Sequence, residues 1–526
     1  MAPMLGRRPL IAAGAASLLG LLLPRPALTQ GEVTPERFGA RGGDAAADTA
    51  AWNRAVEESS RTGRPVRARG TYLLRVGGAS RGNWAGRPDA PVRIAVELRS
   101  GVAIEGPAEI LVAPPERPPQ HRLERHFLFG TPVNERPGAL RDIALAGLTF
   151  DFREEFGRPH PFTYACGVIG VDGFTRQDLR IRSTGTRAGR GLLSENLRER
   201  RDIGIIHENI LQGIYTRYER GVLMRRIGFD RFNEALDFDG PCWDVVLEDL
   251  AFRNGFREAQ CIDAGGGARW RISNVTAENT GPVAYIYIKG NAWPTYSGWL
   301  RSEGRYTPDY VPPEDIVIRD VRARNAGWDG AKGEAIRVGT YRNRQWLRRQ
   351  PVGPSPRNVT IENWDLQGSG SVAVNDCEGI AIRRLRMQGT QSLDDPEAGA
   401  ALVLREAPPS AGGAVTGEVA DVEIREASRS GVIAVAGSGL SLRNISVRGF
   451  GLAGGRNQAA GIRLRPRTTG GPLPRLDQAQ VSGGPPGAPL VDASRERPSP
   501  ADPAAGAARQ RRQDMDRPQD AAPPSR

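Results

Sequence analysis

The 526-residue sequence predicts an all-β solenoid, in which short apolar runs stack as successive coils of one chain. Three observations predict it. The pattern Leu250-Ala-Phe-Arg-Asn254 returns as Val275-Thr-Ala-Glu-Asn279 and, after an insertion, as Val321-Arg-Ala-Arg-Asn325. The first two copies begin at 250 and 275, 25 residues apart, a period at which one supersecondary unit cannot bury its apolar face alone and must stack on its neighbours. Each copy is followed by a small-residue turn and a second short run: Leu236-Asp-Phe-Asp239, Gln260-Cys-Ile-Asp263, Tyr285-Ile-Tyr-Ile-Lys289 and Ala335-Ile-Arg-Val338. The composition agrees, since 39% hydrophobic residues with 65 Gly and 41 Pro suit a turn-rich chain better than a helical one.

From the start, residues 1–29 read as an export signal. Arg7-Arg8 precedes the apolar run Leu10 to Leu23, which is too short and too rich in Ala and Gly for a membrane span, and Ala27 and Thr29 flank a cleavage position. The arginine pair resembles a twin-arginine signal, with an ordinary secretory signal as the alternative. Either places the mature protein in the periplasm or outside the cell with no stable membrane span. Next come Phe38-Gly-Ala-Arg-Gly-Gly-Asp44, Asp48-Thr-Ala-Ala-Trp-Asn-Arg-Ala-Val56 and Gly70-Thr-Tyr-Leu-Leu74. Asp48 is a helix N-cap by type, and Trp52, Ala55 and Val56 form one apolar stripe, so a short helix here would close an open end of the solenoid and cover its sheet edges.

These three segments, in order and spacing, resemble the start of the pectate-lyase-like and rhamnogalacturonase/epimerase-like superfamily, with its pattern F-G-A-x-G-D-G, then D-x-T-x-A, then G-x-Y. Gly43 precedes Asp44 and no glycine follows it, a departure from that pattern. The resemblance implies a single-stranded right-handed parallel β-helix with an N-terminal capping helix. It does not fix a reaction, because the superfamily holds lyases, hydrolases, epimerases and phage tailspikes.

The coil is expected over 30–465. Val96-Glu-Leu, Ile143 to Phe150, Gly167 to Val171, Val359-Thr-Ile, Val372-Ala-Val374, Val432-Ile-Ala-Val435 and Leu440 to Val447 are β-branched runs separated by Gly, Asn and Asp turns. Asn254, Asn279 and Asn325 are expected to stack as a turn ladder, since Asn tolerates a left-handed backbone and its amide pairs between coils. Loop insertions fall at 183–212, 291–313 and 340–356. The last two carry Trp293, Trp299, Arg342 and Trp346, which with Tyr285 and Tyr287 are candidates to bind sugar rings and carboxylates, with self-packed loops as the alternative. Residues 466–526, poor in large apolar side chains, are expected to be a disordered tail.

The net charge of +12 and pI near 10.1 would ordinarily point to an anionic partner. Arginines are spread along the whole chain, and Lys289 and Lys332 are the only lysines, so a general bias toward arginine accounts for much of the excess. Nucleic acid is excluded as the expected partner, because no recognised motif is present and the chain reads as exported. Cys166, Cys242, Cys261 and Cys377 show no metal-ligand spacing and are expected to be isolated buried thiols.

Strand alternation assigns the chemistry. If Leu236, Phe238, Ile262, Ile286, Ile288, Ile336 and Val338 point into the tube, then Asp237, Asp239, Asp263, Lys289 and Arg337 point out and line one exposed sheet. Stacking brings equivalent positions to about 4.8 Å, where crowded carboxylates need a metal ion, a retained proton or the two cations to neutralise them. The order Asp-x-Asp, Asp, Lys, Arg along successive coils looks like that of the pectate lyases, although their flanking motifs are absent. That likeness implies calcium held by Asp237, Asp239 and Asp263, and Lys289 or Arg337 as the base of a β-elimination on an acidic, uronate-containing polysaccharide. The alternative is a hydrolase with paired aspartates. Phe238-Asp239-Gly240 followed by Asp263 resembles the polygalacturonase family's Asn-Thr-Asp-Gly and Asp-Asp, with Asp237 and Ala264 departing from it. A non-catalytic, tailspike-like sugar-binding solenoid is the third reading.

Overall fold

The chain winds as a right-handed parallel β-helix, seen in a computed structural model of the protein. The structure describes residues 32–83, 91–116, 124–134, 138–153, 163–183, 211–232, 234–238, 240–255, 260–280, 286–289, 299–300, 305–306, 312–325, 334–339, 355–392, 399–406, 413–453 and 459–494. Among these, the chain passes back and forth between a 15-stranded sheet and a 14-stranded sheet. Pairing within both sheets is parallel, except where Ser80–Asn83 runs against Pro91–Glu97. A separate antiparallel pair, Trp299–Leu300 with Arg305–Tyr306, falls inside the 291–313 insertion. The 1–29 segment lies outside the described residues, and no described helix is long and apolar enough to cross a membrane.

The repeat pattern works because its polar residues supply the corners. Asn254, Asn279 and Asn325 sit at φ of 50°, 51° and 51°, and Asn325 Nδ2 donates to Asn279 Oδ1 at 3.2 Å, so the expected ladder is present. A second ladder interrupts the long sheet in mid-strand: Arg226, Asp249, Asn274, Asp320, Asn363, Arg384, Asp421 and Asn444, all at φ between 52° and 59°. A left-handed backbone costs most L residues about 1–2 kcal/mol, and Asn and Asp tolerate it best because their short polar side chains bond locally. Here they also bond along the axis, as in Asn444 Nδ2 to Asp421 Oδ1 at 2.8 Å.

At the N-terminal end the helix Ala45–Thr62 seats Trp52 at 5.2 Å from both Tyr72 and Phe129, edge to face. Its N-cap is Asp44, whose Oδ1 accepts from Ala46 and Ala47, and not Asp48. Asp48 lies in the first turn, fully buried, and accepts from the backbone of Arg41, Gly42 and Leu73. The carboxylate ties the bend at Arg41–Gly42 and the strand Thr71–Leu74 to the helix.

The tube interior is a continuous apolar core, and among the described residues it also holds a buried ion pair. Arg176 and Glu219, both with no exposed side-chain surface, form a two-armed ion pair at 3.0 and 2.9 Å. The Arg176 guanidinium stacks 3.8 Å over the Phe174 ring, and Thr216 donates its hydroxyl to Glu219. All four cysteines are buried and free, as expected. Burial pushes the Cys166 thiol up to about 11 and those of Cys242 and Cys377 up to about 12.

The coil does not stop at 465. Arg475–Ser482 pairs with Leu440–Arg448, and Val491–Ala493 pairs with Ile462–Arg465, which extends both sheets. A terminal coil is covered on one side only, so Leu476 and Val481, half-buried against the core, suffice to seat it. The last strand is clasped by Arg465, whose two arms reach the Asp492 carboxylate at 2.9 and 2.6 Å and hold it below the usual carboxylate range. Of the expected tail, residues 495–526 lie outside the described residues.

Candidate functional site

The 14-stranded sheet carries the candidate site. Its register aligns one file of backbone positions, rung by rung: Gly167, Tyr215, Asp237, Asp263, Tyr287, Arg337 and Ala373. The flanking residues Leu236, Phe238, Ile262, Ala264, Ile286, Ile288, Ile336 and Val338 all enter the tube core, so alternation sets the direction of the file as the sequence implied. Asp237 and Asp263 are direct partners on adjacent strands, and Arg337 stands two rungs beyond Asp263 in the same file. Lys289 pairs with Gly339, one outward step along its strand from Tyr287. Its side chain lies outside the described residues, as do that of Tyr287 and the whole of Asp239 and Tyr285. Trp293, Arg342 and Trp346 also lie outside them, and Trp299 is placed by its backbone alone.

One expectation is corrected. The carboxylates face out of the coil, yet they do not lie on an exposed sheet: Asp237 is 5% and Asp263 3% accessible. Alternation gives a side chain's direction, and what covers it is tertiary. Tyr164, itself fully buried, donates its hydroxyl to Asp237 Oδ2 at 2.8 Å. Its ring belongs to an apolar pad on the outside of the tube, with Val92, Ile94, Phe127 and Ile169. Phe127 fits there because Gly130 and Gly167 leave the space: a Cβ on Gly167 would fall 2.1 Å from the Phe127 ring. Farther along, Arg337 makes an ion pair with Glu334 at 2.5 Å, both side chains largely buried.

Sequence reasoning missed Tyr164 and Glu334. Tyr164 sits on a coil ahead of the repeat, before the 183–212 insertion. Glu334 reaches the site through a register shift between Glu334 and Ile336.

The donor set bears on the expected calcium. Among the described residues no group of three or more His, Cys, Asp or Glu is placed to hold a metal ion. Asp237 and Asp263 are two carboxylates, one of them already engaged by Tyr164, against the six to eight oxygens that calcium takes. On their own they do not make a calcium cage.

No family profile matches the chain, and no curated protein matches it. Solved structures do. The A-module of the Azotobacter vinelandii mannuronan C-5 epimerase AlgE4 aligns at 12% identity and a TM-score of 0.44, over 88% of this chain and 99% of that one. A mutant tailspike protein of E. coli bacteriophage HK620, in complex with a pentasaccharide, aligns at 11% identity and 0.43, over 88% of this chain and 65% of its own. A Yersinia enterocolitica family 28 exopolygalacturonase aligns at 12% and 0.37, over 88% and 77%. At such identities the likeness is one of fold. The site has to be read from its own side chains.

Proposed function

We propose that the protein is an exported enzyme that cleaves an acidic, uronate-containing polysaccharide by β-elimination. The observation that carries this reading is the Asp237 and Asp263 pair, in register on adjacent rungs and almost wholly withdrawn from water. Two carboxylates on adjacent rungs and out of water need hydrogen-bond partners, a counter-charge or a retained proton, and such arrangements cluster at active sites. Arg337, always protonated, serves as a clamp for the substrate carboxylate and not as the base. Lys289, one step from the file, is the base: it takes the proton at C5, the electron pair becomes the C4–C5 double bond, and the 4-linked chain leaves. The aspartate pair delivers a proton to the departing oxygen, with Tyr164 holding Asp237 in position. The solved neighbours are named as a mannuronan epimerase, a pentasaccharide-bound tailspike and an exopolygalacturonase, and the reading extends that ligand class here.

A hydrolase is the second reading, because two aspartates in register on adjacent strands are the residue type that glycosidases pair as acid and base or as acid and nucleophile. Incubation of the protein with a panel of uronate polymers, with and without chelator, separates the readings. Unsaturated ends seen by ultraviolet absorbance support elimination, and new reducing ends without them support hydrolysis. Retention of polymer without any product would leave a binding solenoid and overturn the enzymatic reading.

A further inference from the structure

We infer that Arg217 is a second carboxylate-recognising residue of this site, placed on the far side of the acid pair from Arg337. The inference rests on the acidic-polysaccharide reading and adds a residue to it. Arg217 ends the strand Leu211–Arg217, whose Thr216 pairs with Phe238, so Arg217 falls beside the Asp237 strand, one rung toward the N-terminus. Thr216 turns into the tube toward Glu219, and alternation sends Arg217 outward to the face that carries Asp237.

Arg217 is only 5% accessible and its side chain is built in from two directions. Its guanidinium lies 4.9 Å over the Tyr218 ring and donates from Nη2 to the Tyr218 hydroxyl at 3.4 Å. On the other side is Gly240, where an added Cβ would stand 2.7 Å from Arg217 Cγ. Tyr218 packs in turn on the apolar pad that holds Tyr164. One pad therefore orients both the phenol bound to Asp237 and the ring beneath Arg217.

An arginine whose stem is fixed before the ligand arrives loses little conformational freedom on binding, and its planar fork matches a carboxylate. From the Arg217 rung to the Arg337 rung is four strand steps, roughly 19 Å at about 4.8 Å per step. Two cations at that separation, with the acids between them, fit a polymer charged on sugars either side of the cleavage point better than a single charged terminus.

The test uses the full chain and two substrates: a polyuronate, and the same polymer with its carboxyls methyl-esterified. Arg217→Ala is expected to raise KM on the charged polymer about 10- to 100-fold with little change in kcat. Arg217→Lys, which keeps the charge and loses the fork, should fall between. Neither should alter KM on the esterified polymer. Should Arg217→Ala fail to fold, Arg217→Lys is read alone, with the same expectation at smaller size. A wild-type KM in a folded variant overturns the inference, and so does an equal loss on both polymers, which would mark a packing role. Asp263→Asn, run in parallel, keeps the two claims apart: if it is inactive while Arg217→Ala is normal, only Arg217 falls, and if it is fully active, the proposed site falls. If the wild type releases no product, affinity electrophoresis in the two polymers replaces KM with the same criteria.

Discussion

The two sheets of the coil are built from one repeating backbone and differ on their outer faces. On the long sheet, Glu314–Arg324 and Arg357–Gln367 alternate between buried and solvent-facing residues, and the outward positions are mostly charged or amide side chains. On the other sheet, Ser371–Asn375 and Ser430–Val435 are buried at every position and Glu334–Gly339 at all but Arg337. Parallel strands covered on both faces read as continuous apolar runs, as Ser430-Gly-Val-Ile-Ala-Val435 does. Charges on the open face keep their hydration and can be there for solubility alone. Asp237, Asp263 and Arg337 sit on the covered face, where hydration is lost and a charge has to be matched. That contrast is why the chemistry is assigned to the shorter sheet.

The largest effect expected from this contrast is catalytic. Asp263→Asn should lower turnover by about 10²- to 10⁴-fold, the range for removing a group that moves a proton, while Asp320→Asn on the open face should leave it unchanged. Initial rates of product release decide it, and equal activity in the two variants would erase the distinction between the faces. Next comes stability. Glu219→Gln strands Arg176 inside the tube and is expected to cost about 3–5 kcal/mol in urea denaturation, against about 1 kcal/mol or less for Asp244→Asn, which removes the exposed partner of Arg269.

A smaller effect follows from acid. The Arg269 hydrogen bond and charge hold the Asp244 carboxyl below its ordinary value. Its stabilisation is therefore complete above the unfolded pKa of about 3.9 and is lost as pH falls through the lower folded value. With both partners about half exposed, at 46% and 57%, the loss should stay under about 1 kcal/mol. Comparing the urea midpoints of wild type and Asp244→Asn between pH 5 and 2 would reveal it as a gap that closes on acidification. The smallest signal is thiol labelling. With Cys166 near 11 and Cys242 and Cys377 near 12, native protein at pH 8 should resist alkylation at these three positions and label fully once denatured. Rapid native labelling would mean that the tube opens.

The coil was legible because its apolar runs and Asn corners repeat, and the direction of Asp237, Asp263 and Arg337 followed from alternation alone. Their burial was not, since it depends on contacts from elsewhere in the chain, such as Tyr164 on Asp237 from 73 positions away. Arg217 was hidden for the same reason, as its rung is fixed only after the chain has returned across the 183–212 insertion. Asp48 looked like a cap because its residue type suits one, and its actual partners, Arg41 and Leu73, are brought to it by the fold. In each case a residue's type and direction were local information and its partner was not.

Asn279 and Asn325 touch although 46 residues separate them, whereas Asn254 and Asn279 occupy adjacent corners at a distance of 25. The surplus leaves and rejoins the winding without disturbing the seam on either side. A protein assembled this way can lengthen the connection between two strands of one coil while its corners stay in line. Removing a single residue from within a rung would instead throw every later corner out of line. Foreign loops grafted between Lys289 and Glu314 would therefore leave both flanking strands and both corners in register.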